Sequence, residues 1–145
     1  MPISYNISPD MSMVMYICRG LVTATEFFRT ADMVFVDKRR QPGMITIVDL
    51  FGAVEDFHIE DLYETTRRID KTADEGYVPG PIVLLSLSNG IHILVSTLML
   101  LPSRVPFRMR AFHTLEDAVI SLGMSGWREQ IIQFWNECNS VCEPA

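Results

Sequence analysis

The sequence predicts an α/β fold: a five-stranded, mainly parallel sheet with an N-terminal antiparallel hairpin and an extra C-terminal helix. Short runs of β-branched and apolar residues alternate with segments whose apolar residues recur at helical spacing, which is typical of parallel sheets with helical crossovers. The 145 residues are the usual length of one domain, and no repeat or Pro/Ser-rich linker divides them. We therefore expect a single domain over residues 1–145, with the element order β-β-α-β-α-β-α-β-α-α.

The first two strands are predicted at residues 3–8 and 13–19, joined by the turn sequence SPD. The run MVMYIC in the second strand is almost entirely apolar, which is typical of a strand that is buried on both faces. We expect Gly20 to end this strand, and we expect the two strands to form the antiparallel hairpin.

A helix and a third strand are predicted next. Thr23 and Glu26 have the spacing of a capping box, and the apolar residues after them favour a helix over 24–37. The sequence MITIVDLFG then predicts a β-branched, apolar strand. We expect this strand to be closed by Asp49 and by a turn at Gly52.

A second amphipathic helix is predicted to end at Gly76. Its inner positions are predicted to be Ile59, Leu62, Thr66, Ile69 and Ala73. Strands are predicted at 81–87 and 107–112, the latter at the sheet edge and after a loop bracketed by Pro102 and Pro106. The remaining helices are predicted over 90–101, 115–122 and 127–138. The inner side of the last one is predicted to hold Trp127, Ile131, Phe134, Trp135 and Cys138.

The overall charge argues against a nucleic-acid-binding protein. The formal net charge is −6, whereas such proteins normally present a basic face. The one dense basic cluster is Lys38, Arg39 and Arg40, and we expect it to stabilise a helix end. The N-terminal sequence MPISYNISPD has neither a basic start nor a long apolar core, so no signal peptide is predicted.

Cysteine usage is typical of a protein in the reducing cytoplasm. The three cysteines, Cys18, Cys138 and Cys142, are too few for a disulfide framework. Cys18 lies in an apolar run and is predicted to be a small core residue. Two thiols in a C-x-x-x-C spacing do not complete a tetrahedral zinc site. We therefore expect no metal site and no cofactor.

Four sequence landmarks in this order resemble the SpoIIAA-like (STAS-type) family: RGLVTATEF, MITIVDLFGA, PIVLLSL and FRMRAFHTLEDAVISLG. The resemblance covers about residues 3–123 and leaves the appended helix at 126–138 outside. It implies a small cytoplasmic domain. The best-known members are anti-anti-sigma regulators that are switched by phosphorylation of a serine. Some related branches are grouped with a lipid-binding fold, and others belong to anion transporters or stress-sensing complexes.

This chain departs from the family at the switch residue. When the aspartate that closes the third strand is aligned on Asp49, the switch serine falls at His58. The nearest hydroxyl groups are those of Thr65 and Thr66, inside a predicted helix. We therefore expect a branch of the family that lacks the phosphorylation switch.

Catalysis is not predicted. Asp49, Ser88 and His113 lie at or just beyond strand ends, where open α/β sheets bind ligands, and a triad of these three residues is conceivable. No G-x-S-x-G elbow supports such a triad. Asp49 is expected to accept hydrogen bonds from nearby backbone N–H groups instead. We expect no catalytic residues.

The most apolar segment, GIHILVSTLMLLP, is too short to span a bilayer and is predicted to form the helix at 90–101, capped by Asn89. Its inner face is predicted to be Ile91, Leu94, Val95, Leu98 and Leu101. The outer positions Ile93, Met99 and Leu100 are also apolar, and a helix that is apolar nearly all round is normally covered on more than one side.

Three covers for that helix remain open. A second copy of the chain would use Ile93, Leu100 and Met99 as a homodimer interface. The C-terminal helix is the second candidate cover. An apolar ligand is the third, and its polar contacts are then predicted to be His92, Ser96, Thr97, Ser88 and His113.

These alternatives define the functional hypotheses. The first is a non-enzymatic regulatory or protein-interaction domain that acts as a homodimer. The second is a small carrier or sensor of an apolar, lipid-like ligand held beside the helix at 90–101. The third is a hydrolase that uses Ser88 and His113.

Overall fold

The structure is a computed structural model that describes residues 2–77, 79–102 and 107–142, with side chains up to residue 140. The strands are β1 (Ile3–Ser8), β2 (Met13–Thr23), β3 (Ile45–Asp56), β4 (Ile82–Leu85) and β5 (Met109–Phe112). The α-helices are α1 (Ala24–Phe35), α2 (Ile59–Asp74), α3 (Asn89–Leu98), α4 (Leu115–Ser121) and α5 (Arg128–Cys142). A short 3-10 helix, Ser125–Trp127, precedes α5.

The five strands form one sheet in the order β1-β2-β3-β4-β5. β1 and β2 are antiparallel, with Ile3 opposite Cys18 and Ser8 opposite Met13. The other three pairings are parallel. The predicted α/β class, the hairpin and the mainly parallel sheet are therefore confirmed.

Helices cover both faces of the sheet. Successive residues of β2 point to opposite sides, so they pack against different helices. Val14 and Tyr16 pack with α1 and α3 in one core cluster. Met13, Met15 and Ile17 pack with α4 and α5 in the other. The prediction that the MVMYIC run is buried on both faces is confirmed.

β2 and β3 are longer than predicted. We expected Gly20 to end β2 and Asp49 with Gly52 to end β3, but pairing continues from Gly20–Ala53 to Thr23–Asp56. The register shifts between Ile17 and Arg19, and Gly20 adopts a φ of +70°, so a bulge is accommodated without ending the strands. Each strand supplies the hydrogen-bonding partner that keeps the other extended.

The helix starts agree with the sequence except at α3 and at α5, which begins one residue later than predicted. Thr23 is the N-cap of α1, and its Oγ1 accepts a hydrogen bond from the Glu26 N–H at 3.3 Å, as the spacing predicts. α3 is capped by Ser88 and not by Asn89: the Ser88 Oγ accepts from the Ile91 N–H. α3 ends at Leu98, before the predicted residue 101, and the predicted loop after Pro102 lies largely outside the described residues.

α5 packs on the face of the sheet opposite α3. Its residues Ile131, Phe134 and Cys138 are buried in the cluster that contains α4. The C-terminal helix, one of the three covers left open for α3, is therefore ruled out, because the sheet lies between the two helices. The prediction that Trp127 lies on the inner side of the last helix is also wrong. Trp127 precedes α5 and is exposed, since it belongs to the 3-10 turn that leads into the helix.

Candidate functional site

A cavity of about 500 Å³ lies between the sheet and helices α1, α2 and α3. Its volume falls within the range of roughly 300–1,000 Å³ that is usual for small-molecule pockets. On the sheet side it is lined by alternate residues of β2, β3 and β4, which include Val14, Tyr16, Thr46, Val48, Leu50 and Leu84. The sheet side of the cavity is therefore predominantly apolar.

One wall comes from the inner face of α3. Ile91, Leu94, Val95 and Leu98 line the cavity, and three of them, Ile91, Val95 and Leu98, are buried. These are positions that the helical spacing assigns to the inner face. The sequence therefore predicted the correct face of this helix, although it did not predict that the face borders an open space.

α2 forms the side of the cavity opposite the sheet, and it contributes few apolar groups. Leu62 is the buried residue of this helix, whereas Ile59, predicted to face inwards, is exposed. Leu62 and Ile69 line the cavity, and α2 packs against α3. A helix with so narrow an apolar face does not fill the space above the sheet, and the cavity is the consequence.

The threonines of α2 that line the cavity have hydrogen-bonded hydroxyl groups. The Thr65 Oγ1 donates to the Asp61 carbonyl at 2.8 Å, and the Thr72 Oγ1 donates to the Arg68 carbonyl at 2.7 Å. Because each hydroxyl donor is satisfied within the helix, neither needs a polar partner from the cavity.

Arg68 connects α2 to α1. Its guanidinium forms an ion pair with Asp32 at 2.8 Å, contacts Glu64 at 3.2 Å and lies over the ring of Phe28 at 4.6 Å. Arg67 contacts the same Glu64 carboxylate at 2.6 Å. The hydrogen bonds from Arg67 and Arg68 lower the pKa of Glu64 to about 2. Two of the arginines that line the cavity are thus paired with carboxylates.

Arg40 is the third arginine that lines the cavity, and its surroundings differ. Its guanidinium lies 5.1 Å from the centre of the Phe35 ring and 5.0 Å from that of Tyr77. Its Nη1 is buried and has no hydrogen-bond partner. Burial lowers the pKa of Arg40, and burial also raises the pKa of the neighbouring Tyr16 phenol.

The predicted ligand-binding residues lie elsewhere. The rings of His92 and His113 are stacked with their centres 4.2 Å apart, and the His92 Nε2 lies 2.9 Å from the Ser86 carbonyl oxygen. Ser88 caps α3, and the Thr97 Oγ1 donates to the Ile93 carbonyl. Ser96 is exposed. None of these five predicted residues is among those that line the cavity described here.

The conceivable triad is not assembled by any hydrogen bond among the described residues. The two carboxylate oxygens of Asp49 accept from the Phe51 N–H at 2.8 Å and from the Trp135 Nε1 at 2.7 Å. Asp49 thus accepts from a nearby backbone N–H, as predicted, but its other oxygen is held by α5. The imidazole of His113 stacks on His92.

The predicted interface residues lie in α3 and in the two residues after its end, together called the α3 segment (residues 89–100), and they face away from the core. Ile93 is 65% exposed, Leu100 84% and Met99 38%. In the part of the chain that the structure describes, no helix is long and apolar enough to cross a bilayer. The same residues contain no group of three or more metal-ligating side chains.

Sequence reasoning placed a possible ligand pocket beside the helix at 90–101 but on its outer side, and it missed the cavity on the inner side and the role of Arg40 in its lining. The available signal was the weakly apolar helix at 59–74, whose predicted inner positions include a threonine and an alanine. Such a helix cannot fill the space above an apolar sheet. Arg40 was assigned to a helix end as one of three basic residues, and nothing local distinguishes it from Arg39.

Comparison with known proteins supports the fold. Neither a family model nor a curated protein matches the chain. Among solved structures, the chain is similar to an uncharacterised protein of the DUF3478 family with a SpoIIAA-like fold from Shewanella loihica PV-4. The TM-score is 0.53 at 9% sequence identity, and the match covers 83% of this chain and 93% of that chain. The order of the strands and this structural likeness together show that the chain has a SpoIIAA-like fold.

Proposed function

We propose that the protein is a non-enzymatic carrier or sensor that binds an apolar or amphipathic small molecule in the cavity between the sheet and α2. The cavity of about 500 Å³ is the observation that carries this proposal. From the sequence alone, a regulatory or protein-interaction role ranked first and ligand binding second. The cavity favours ligand binding over the first-ranked role. In this proposal, a regulatory role would depend on whether the cavity holds a ligand.

Three features support ligand binding. The sheet and α3 present apolar side chains to the cavity, so that an apolar molecule would gain free energy by leaving water. The hydroxyl groups of Thr65 and Thr72 donate to backbone carbonyls within α2, so they do not require a polar group on the ligand. α2 lies against α3 and is tied to α1 through Arg68, so it can move without disrupting the sheet.

A pair of tryptophan variants of α3 tests the proposal. Leu94→Trp adds a bulky side chain on the cavity wall, whereas Ile93→Trp adds the same group at an exposed position of the same helix. We expect the neutral dye Nile red and decanol to bind the unmodified protein and Ile93→Trp, and to bind Leu94→Trp at least about tenfold more weakly. Titration calorimetry and dye fluorescence measure this.

Native mass spectrometry of the purified protein provides an independent test. A co-purifying small apolar mass that is lost in Leu94→Trp is the expected result. The proposal is wrong if no apolar probe binds the unmodified protein, or if Leu94→Trp, shown to be folded by circular dichroism, binds the probes as tightly as Ile93→Trp does.

A second candidate function is self-association through the outer side of the α3 segment. The exposure of Ile93, Met99 and Leu100 favours it, since large apolar side chains that face solvent together often mark interfaces. We propose a homodimer in which the same face of two chains meets.

We also propose a cytoplasmic location, which the low cysteine usage supports. We propose a single domain over residues 1–145, which the shared sheet supports.

A further inference from the structure

Arg40 places a positive charge at the edge of a largely apolar cavity, and no described carboxylate forms an ion pair with it. Its Nη1 is buried and makes no hydrogen bond, and it forms no ion pair with any described residue. A buried donor that is left without an acceptor destabilises the folded state, and more so when it is charged. Such an arrangement calls for an acceptor that the polypeptide does not supply.

The other arginines nearby are paired with carboxylates, in contrast to Arg40. Arg39, the preceding residue, pairs with Asp37 at 3.0 Å, and Arg67 and Arg68 share Glu64. Arg40 is directed instead to the rings of Phe35 and Tyr77 and to the cavity. The guanidinium carbon lies over both rings, and such stacking does not use the N–H donors, which lie in the plane of the group.

We propose that Arg40 binds the acid group of a single-chain alkyl carboxylate whose hydrocarbon chain occupies the cavity. This inference rests on the proposed function and adds the class of ligand to it. A carboxylate accepts two parallel N–H bonds from a guanidinium, and the pair is strengthened where water is excluded. The ring contacts hold the guanidinium in place before the ligand arrives, which reduces the ordering cost of binding.

A carboxylate suits this position better than a phosphate monoester. Arg67 and Arg68 are paired with Glu64 and Asp32, and Arg40 is the one arginine of the cavity lining that has no ion pair with a described residue. One negative charge balances it. A dianionic phosphate would leave a second charge against apolar side chains, and an unpaired buried charge is costly.

Binding of decanoate and of decanol, which share a chain and differ in the acid group, tests the inference. The proteins are the unmodified chain, Arg40→Met, which keeps a long apolar side chain, and Arg39→Met as the matched control. Arg39 is adjacent in sequence, but it is paired with Asp37 and does not line the cavity. Calorimetry gives the affinities near neutral pH.

We expect the unmodified protein and Arg39→Met to bind decanoate about tenfold to a hundredfold more tightly than decanol. Arg40→Met should lose that preference while it still binds decanol. Equal affinity of the unmodified protein for both probes overturns the assignment to Arg40 and leaves the proposed function intact. Binding of neither probe, nor of Nile red, overturns both.

A second measurement remains valid if Arg40→Met does not fold. In the unmodified protein, the carboxyl carbon of ¹³C-labelled decanoate is followed by NMR during a pH titration. The guanidinium should lower the pKa of the bound acid relative to that of the free acid, because a positive neighbour favours the charged form. An unchanged or raised pKa of the bound acid contradicts the proposal. Arg40→Lys, which keeps the charge but not the two-pronged geometry, should retain part of the preference.

Discussion

Gly80, just before the start of β4, allows two backbone segments to approach closely. A Cβ atom at this position would lie 2.2 Å from the Met44 carbonyl oxygen and 2.5 Å from that of Gly43. These neighbours are backbone atoms, which cannot rotate away as a flexible side chain can. The close approach of two chain segments therefore requires glycine here, beside the cavity that Gly80 and Met44 both line.

We predict that Gly80→Ala lowers the free energy of unfolding by about 2 kcal/mol or more, because the backbone must shift to admit a methyl group. Urea denaturation measures the change. Gly126→Ala is the matched control: no atom lies within 4 Å of its added Cβ, so it should be neutral or slightly stabilising. Similar unfolding midpoints for the two variants would contradict the close packing at Gly80.

Asp49 makes one hydrogen bond that the local sequence predicts and a second that only the folded protein brings about. Its Oδ1 accepts from the Phe51 N–H two residues ahead, a contact that the sequence predicts. Its Oδ2 accepts from the indole N–H of Trp135, 86 residues later. The second bond joins α5 to the sheet, and only the placement of α5 on that face brings the two groups together.

At the scale of elements, α2 differs from the other helices that cover the sheet. It is held through its packing on α3 and through the polar contacts of Arg68, and it has a single buried residue. Its ion pairs are largely exposed, so each contributes little to stability. A helix attached in this way is well suited to move when a ligand enters or leaves.

The pairing of Glu64 predicts how acid affects the protein. Arg67 and Arg68 lower the pKa of Glu64 from its usual 4.5 to about 2. A carboxylate with a lower pKa in the folded state contributes stability above its unfolded pKa, and that contribution is lost as the pH falls. We expect Glu64→Gln to lower the Tm at pH 7 slightly, and to lower it less or not at all near pH 2.

Thermal unfolding followed by circular dichroism between pH 7 and acid measures this prediction. Glu137→Gln on α5 is the control, since Glu137 accepts a hydrogen bond from Gln133 and pairs with no described cation. The difference between unmodified protein and Glu64→Gln should shrink as the pH falls below about 4.5. A difference that stays constant across this range would mean that the ion pairs of α2 do not contribute to stability.

At the scale of the whole molecule, the sheet separates two different layers. α4 and α5 fill one face with a packed apolar core, while α1, α2 and α3 border the cavity on the other. The outer side of the α3 segment then remains exposed, because α5 lies on the opposite face. The proposed ligand site and the proposed dimer interface thus lie in the same layer, on opposite sides of the α3 segment.

We predict that the protein sediments as a dimer, and that the double variant Ile93→Glu with Leu100→Glu is monomeric. Charges placed on a buried apolar interface are unpaired and oppose association. Ile120→Glu, at an exposed apolar position of α4 on the other layer, should remain dimeric. Analytical ultracentrifugation distinguishes the two states. An unchanged oligomeric state of the double variant rules out this interface.

The sequence by itself determined the order of strands and helices, the hairpin and the SpoIIAA-like fold. The element order and the hairpin follow from local patterns: period-2 and helical spacing of apolar residues, capping residues such as Thr23, and turn residues between β1 and β2. The fold family follows from the resemblance of four landmark segments. The inner face of α3 followed from the same periodicity. Contiguous residues carry all of this information, so no through-space contact was needed to obtain it.

The tertiary structure alone decided the rest. β2 and β3 run past Gly20 and Asp49 because each pairs with the other, and α5 cannot cover α3 because the sheet lies between them. The cavity exists because α2 is too polar to fill the space above the sheet. Arg40 and Arg39 are neighbours of the same type in sequence, and only their surroundings in the fold leave one paired and the other unpaired beside that cavity.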